Sequence, residues 1–184
     1  FCYVIMASQQ SVQSNQVLKF SEIQKFKGGV ISGSFVTKND KPIQVKLENV
    51  VAPLGVSCFG DKKSIMLNID EDTHDVNELL LVQAGAKEHP DLKDKNFNEI
   101  IKCSEKYGRQ MKVSITPDTL FFNDECKKGE DTLCVNKCLV NILVEVNMVW
   151  VRGKECGISV KAMQIRHLKN ITGGASVLPD TCLI

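Results

Sequence analysis

Val140-Asn-Ile-Leu-Val-Glu-Val-Asn-Met-Val-Trp150 is the stretch from which the fold is read. Val140, Ile142, Val144, Val146, Met148 and Trp150 alternate with Asn141, Leu143, Glu145, Asn147 and Val149, the two-residue period of a strand with one strongly apolar face. Arg152-Gly-Lys-Glu155 supplies a turn, and Gly157-Ile-Ser-Val-Lys-Ala-Met-Gln-Ile-Arg166 returns, so the two runs are predicted to pair as a hairpin.

Working back from this hairpin, Met111-Lys-Val-Ser-Ile115 and Leu120-Phe-Phe122 are further strands, and the polar run 123–132 is a surface loop. Near the start, Val30-Ile-Ser-Gly-Ser-Phe-Val-Thr37 is rich in β-branched residues. It is followed by the turn Asn39-Asp-Lys-Pro42 and by Ile43, Val45 and Leu47 alternating with polar residues, which predicts an early hairpin. Ala52-Pro-Leu-Gly55 and Gly60-Asp-Lys-Lys63 break the run before a third strand, Ser64–Ile69. Between these strands and Met111 the period changes. Asp72 or Thr73 is placed to cap a helix carrying Val76, Leu79, Leu80 and Val82, and Phe97, Ile100 and Ile101 predict a second helix ending near Tyr107-Gly108.

Strands, then helices, then strands, with no βαβ alternation, predict a mainly β (α+β) domain with an antiparallel sheet. The specific expectation is an OB-like small barrel with a helical insertion, about residues 72–108, between strands 3 and 4. Residues 19–169 form that single domain. The Gln/Ser/Asn-rich residues 1–18 read as a flexible N-terminal arm and 170–184 as a C-terminal tail. The chain begins Phe1-Cys2-Tyr3, with Met6 as the expected native start and no complete secretory signal.

At 184 residues, 43% apolar and 24% charged, the chain suits one ordinary domain with a real core. The apolar run 138–151 is interrupted by Asn141, Glu145 and Asn147, far short of the roughly 18 unbroken apolar residues of a membrane helix, so no membrane partner is expected. Eight cysteines without regular spacing, in a chain long enough to fold without staples, favour reduced thiols over a disulfide framework. Cys126, Cys134 and Cys138 lack a Cys-x2-Cys pair and a nearby histidine, so no zinc site is expected.

Motifs for catalysis are missing. There is no Gly-x-Ser-x-Gly, no phosphate-cradling glycine loop and no suggestive Cys/His pair, so neither enzyme chemistry nor a cofactor is expected. Asp70-Glu-Asp72 reads as a solvated helix cap rather than a cation site.

The formal charge of +1 advertises no partner, but the charge is segregated. Residues 70–99 balance −6, whereas 19–46 balance +4 and 145–169 balance +3. Basic residues interleaved with aromatics on strands and turns are what single-strand binders use, a positive groove for phosphates and aromatic faces for bases. The stacking candidates are Phe35, Phe59, Tyr107 and Trp150, although Trp150 also continues the apolar row of its strand and Phe35 fits either face. The phosphate candidates are Lys46, Lys62, Lys63, Arg152, Lys154, Lys161 and Arg166, of which those at turns are best placed because barrel loops frame an OB groove.

The run Trp150-Val-Arg-Gly153-Lys-Glu-Cys-Gly157-Ile-Ser159-Val-Lys161-Ala-Met-Gln164-Ile165-Arg166 resembles the closing segment of the OB-fold single-stranded-DNA-binding proteins of large nucleocytoplasmic DNA viruses. Val51-Ala-Pro53-Leu-Gly55-Val-Ser57, followed by Lys62-Lys-Ser-Ile-Met-Leu67, is similar to that family's Pro-x-Gly loop and third strand, and the two motifs together cover about a third of the chain. The resemblance implies non-enzymatic coating of single-stranded DNA, DNA favoured over RNA, in viral replication, repair or recombination. By position it puts Lys161, Arg166, Trp150 and the Lys62-Lys63 turn near the strand path. It also implies an intracellular, non-secreted protein at a replication site or nucleus, or in the virion. The rival expectation is a structural or assembly protein whose sheet edges form a homo-oligomer.

Overall fold

A computed structural model describes residues 18–25, 31–70, 72–105, 108–134 and 136–171. Except for Leu18, Asn170 and Ile171, the expected arm and tail lie outside these residues, as does Tyr107.

The chain opens with β1 (Leu18–Phe20), β2 (Gln24–Lys25), β3 (Ser32–Ser34), β4 (Val36–Lys38) and β5 (Lys41–Pro42). Next come β6 (Gln44–Ala52), β7 (Val56–Phe59), β8 (Lys62–Asn68) and the helix α1 (Asn77–Glu88). They are followed by β9 (Asn96–Asn98), β10 (Ile101–Ser104), β11 (Gly108–Ile115), β12 (Leu120–Phe122) and β13 (Lys128–Gly129). A short 3-10 helix (Asp131–Cys134) then leads into β14 (Cys138–Arg152) and β15 (Glu155–Asn170).

Five strands close a circuit: β6 pairs with β8, β8 with β11, β11 with β15, β15 with β14, and β14 again with β6. Only the β11–β15 contact in this ring is parallel, the arrangement of an OB-like barrel with its helix inserted between the second and third barrel strands. Alternation in each strand fills the interior. Val45 and Leu47, Ile65 and Leu67, Met111 and Val113, the even positions from Cys138 to Val146, and Ile158, Val160 and Ala162 are all buried. Each fully buried Leu, Ile or Val contributes roughly 1.5–3 kcal/mol, which is why the alternation specifies the register.

The helix α1 joins the same core through Leu79, Val82 and Ala86. Its cap differs from expectation: the N-cap is Val76, without a side-chain cap, while Asp72 and Thr73 lie in a turn built on Asp70. Gly85 faces Leu18 and Phe20, so β1 can pass closely over the helix. Gln83, though buried, is satisfied: its carbonyl oxygen accepts the Ile100 N–H at 2.8 Å and its amide donates to Glu99.

The second predicted helix does not form. Phe97 instead pairs with Cys156 in β9–β15 and Ile101 with Met111 in β10–β11. The i, i+4 spacing of these two residues was a coincidence of two short strands, and non-local pairing overrides the local period. The early hairpin is also shorter than expected. Its turn at Asn39-Asp40, both at positive φ, joins only β4 to β5, and β6 then leaves to enter the barrel beside β14.

Six cysteines lie among the described residues, and Cys58, Cys126, Cys134, Cys138 and Cys156 are free thiols. The Cys134 thiol is pushed up by its hydrogen bond to Cys138 and by burial, so it remains a protonated core group. No cluster of three or more metal-ligating side chains occurs among the described residues, and no described helix is long and apolar enough to cross a membrane.

Candidate nucleic-acid interface

Because cross-strand partners point to the same side of a sheet, the registers above also define the outside of the barrel. One row runs Gln44–Glu145–Lys161–Ser114–Ser64–Ser57 across β6, β14, β15, β11, β8 and β7. The next row on the β8–β11 side pairs Met66 with Lys112, and the one beyond it runs Asn68–Gln110–Lys102 onto β10. At the opposite end, Lys62 faces Phe59 across the β7–β8 hairpin. Strand spacing of roughly 4.8 Å and a rise of roughly 3.3 Å per residue make this surface about 15 by 20 Å.

The surface carries no acid on β7, β8, β10 or β11. Lys62 and Lys112 make no ion pair among the described residues, and Lys102 donates only to the neutral Asn98 side-chain oxygen at 3.2 Å. The small residues Ser57, Ser64 and Ser114 leave a shallow floor between these cations. Phe59 stands at the rim with 90% of its surface exposed, the most exposed large apolar side chain among the described residues.

Trp150 reaches the same side by a route that its sequence pattern does not reveal. A bulge between Val146 and Met148 inserts a residue opposite Ser159, so the alternation changes phase. Val149 takes the buried position, while Met148 and Trp150 turn outward, so the expectation that they continue the apolar row is overturned. The half-buried indole lies over Gly157, its β15 partner, where a Cβ would stand 2.9 Å from the ring. From Gly157 the row continues to Asn98, which holds Lys102, and so to the lysine surface. Arg152 and Lys154 lie at the adjoining hairpin tip, which is tied down by Asn96 N–H to the Lys154 carbonyl and by Lys95 to the Gly153 carbonyl.

The remaining sequence candidates are arranged differently. Lys63 points to the inward side at the barrel end and pairs with Asp131, which holds its ammonium above the usual lysine range. Lys46 is on the outside, but beyond β14, and is paired with Glu48. Arg166 lies farther along β15 opposite Asn141 and Phe122, partly buried, and donates to the Asp124 carbonyl. Phe35 is half-exposed just past β3, on the far side of β14 from β15, with its N–H on Ser21 Oγ.

Lys161 sits at the centre of the outer surface, yet its ammonium is 2.9 Å from Glu145. Burial alone would raise the Glu145 carboxyl. The hydrogen bonds from Lys161 and from Gln44 Nε2 (2.7 Å), with the Lys161 charge, outweigh it and hold the carboxyl below the usual range.

Lys102 and Lys112 were not singled out from the sequence. Lys112 was legible there, since it alternates with the apolar Met111 and Val113, whereas Lys102 fell in a segment read as helix.

No protein-family model matches the chain, and no curated protein matches it by sequence. Solved structures do. The single-stranded DNA-binding protein from bacteriophage Enc34 superposes with a TM-score of 0.53 at 15% identity, covering 88% of this chain and 96% of that one. The same phage protein in complex with single-stranded DNA gives 0.52 at 15% identity, covering 84% and 97%. At this identity the likeness is one of fold, and over nearly its whole length the Enc34 protein shares its fold with this chain.

Proposed function

We propose that the protein binds single-stranded DNA without catalysing a reaction. The observation that carries this is the acid-free outer face of β8, β10 and β11, where Lys62, Lys102 and Lys112 surround a shallow floor beside the exposed Phe59. The second and third barrel strands, here β8 and β11, form the surface that OB barrels offer to oligonucleotides, and phosphate-tracking lysines with a stacking aromatic are the chemistry of single-strand binding. Arg152, Lys154 and the outer face of Trp150 extend the path at the other hairpin. The fold shared with a phage single-stranded-DNA-binding protein supports the reading, and the sequence motifs quoted above favour a viral type of replication, repair or recombination.

The test is fluorescence anisotropy with labelled oligo-dT of about 30 nucleotides, in a salt series, with duplex DNA and oligo-U as competitors. Each phosphate contact adds a slope of about −0.7 in log K against log salt, so three to five basic contacts predict roughly −2 to −3.5. Lys112→Ala is expected to lower affinity several-fold and flatten the slope by about 0.7. Failure to bind at low salt, or equal competition by duplex, would overturn the proposal.

The rival assembly reading rests on sheet edges. In the large sheet, β2, β7, β9, β10 and β13 have one neighbour each and only two to four residues, while β6 has β14 along Gln44–Ala52 but meets β8 only at Val51–Asn68. Long open edges are what drive edge-to-edge association, so a concentration-dependent oligomer indifferent to DNA in sedimentation would favour that reading.

A further inference from the structure

On the outside of β14 and β15, Glu145 is the one acid away from the hairpin tip; the other, Glu155, faces Arg152 at the turn. Glu145 is well shielded, its side chain 13% exposed, and it is gripped from both sides by Lys161 and Gln44. Its position is the boundary of the proposed surface: on one side lie Lys161, Ser114 and Ser64, on the other Gln44 and Lys46.

We infer that Glu145 is a built-in counter-charge that restrains nucleic-acid affinity and keeps the phosphate path from crossing β14 towards Lys46. This rests on the binding reading given above. Two physical consequences follow from the geometry. The Lys161 ammonium is already neutralised, so it releases no counterion when DNA arrives and contributes little to the salt dependence. A phosphate crossing β14 would meet a carboxylate held ionised by two hydrogen bonds, which repels it and separates the Lys46 side from the path. Lys161 is therefore the partner of Glu145 rather than a phosphate ligand.

Glu145→Gln removes the charge, keeps the shape and leaves Lys161 unneutralised on the surface. The expected result with the same oligo-dT is binding roughly 3- to 10-fold tighter near 50 mM salt, with a slope steeper by about 0.7, one added phosphate contact. Glu145→Thr, a good strand former, is expected to act in the same direction and serves if the glutamine variant folds poorly. Adding Lys161→Gln to Glu145→Gln is expected to return the slope to that of the wild type. A wild type that binds, with folded charge-removed variants that bind equally or more weakly at unchanged slope, would overturn this inference alone. A wild type that does not bind would instead overturn the binding reading and this inference with it.

Discussion

Phe59→Ala is expected to weaken binding to oligo-dT by about 5- to 150-fold, the 1–3 kcal/mol that one base stacked on an aromatic ring supplies. The ring is 90% exposed at the end of β7, before the Gly60-Asp61 turn, and is not part of the apolar core. Removing it therefore costs little folding energy, and the melting temperature should stay close to that of the wild type. Stacking releases no counterions, so the salt slope should also stay constant. This pattern of lower affinity at unchanged slope is the opposite of Lys112→Ala, where both change. Titrations of the two variants at three salt concentrations separate them. Phe59→Ala binding like the wild type would show that the strand does not pass the β7–β8 hairpin and would move the aromatic role to Trp150.

Gly55→Ala is expected to destabilise the fold by about 3 kcal/mol or more, and with it the binding surface. Gly55 has φ +61°, where a side chain is already unfavourable, and an added Cβ would stand 2.0 Å from the Cys134 carbonyl oxygen and 2.9 Å from that of Asn136. Both obstacles are backbone, so no rotamer change relieves them. Either the Pro53–Gly55 loop or the segment around the 3-10 helix must move, and that segment carries the buried Cys134 and the Asp131 partner of Lys63. Gly60→Ala is the control. Its φ is +57°, but nothing lies within 4 Å of the added Cβ, so only the conformational cost of roughly 1 kcal/mol applies. Urea unfolding of both variants measures the difference; equal midpoints would show that the close approach at Gly55 does not matter. Pro-x-Gly was singled out in the sequence by resemblance, and the structure supplies a steric reason for its glycine.

Much of the barrel was legible because strand alternation is a local signal. The alternating residues of β14 and the return of β15 announced the hairpin that holds the ring together, and Leu79 and Val82 announced the helix. The second helix failed because Phe97 and Ile101 find their partners in Cys156 and Met111, dozens of residues away or on the next strand, and no local period records that. Of the proposed binding surface, Lys62, Phe59, Trp150 and the Arg152–Lys154 turn are legible from their places on strands and turns. Which of the named cations are compensated was not legible.

The sequence by itself determined that the chain builds an antiparallel, mainly β core with one helical insertion and basic strands, since these follow from periodicity and composition. Tertiary structure decided which charges remain available. Lys63 is neutralised by Asp131, 68 positions away, and Lys161 by Glu145 across a hairpin. It also decided the facing of Trp150, because a single bulged residue reverses every side chain that follows it. Register and ion pairing depend on which strands meet, and that is a property of the closed barrel rather than of any segment of it.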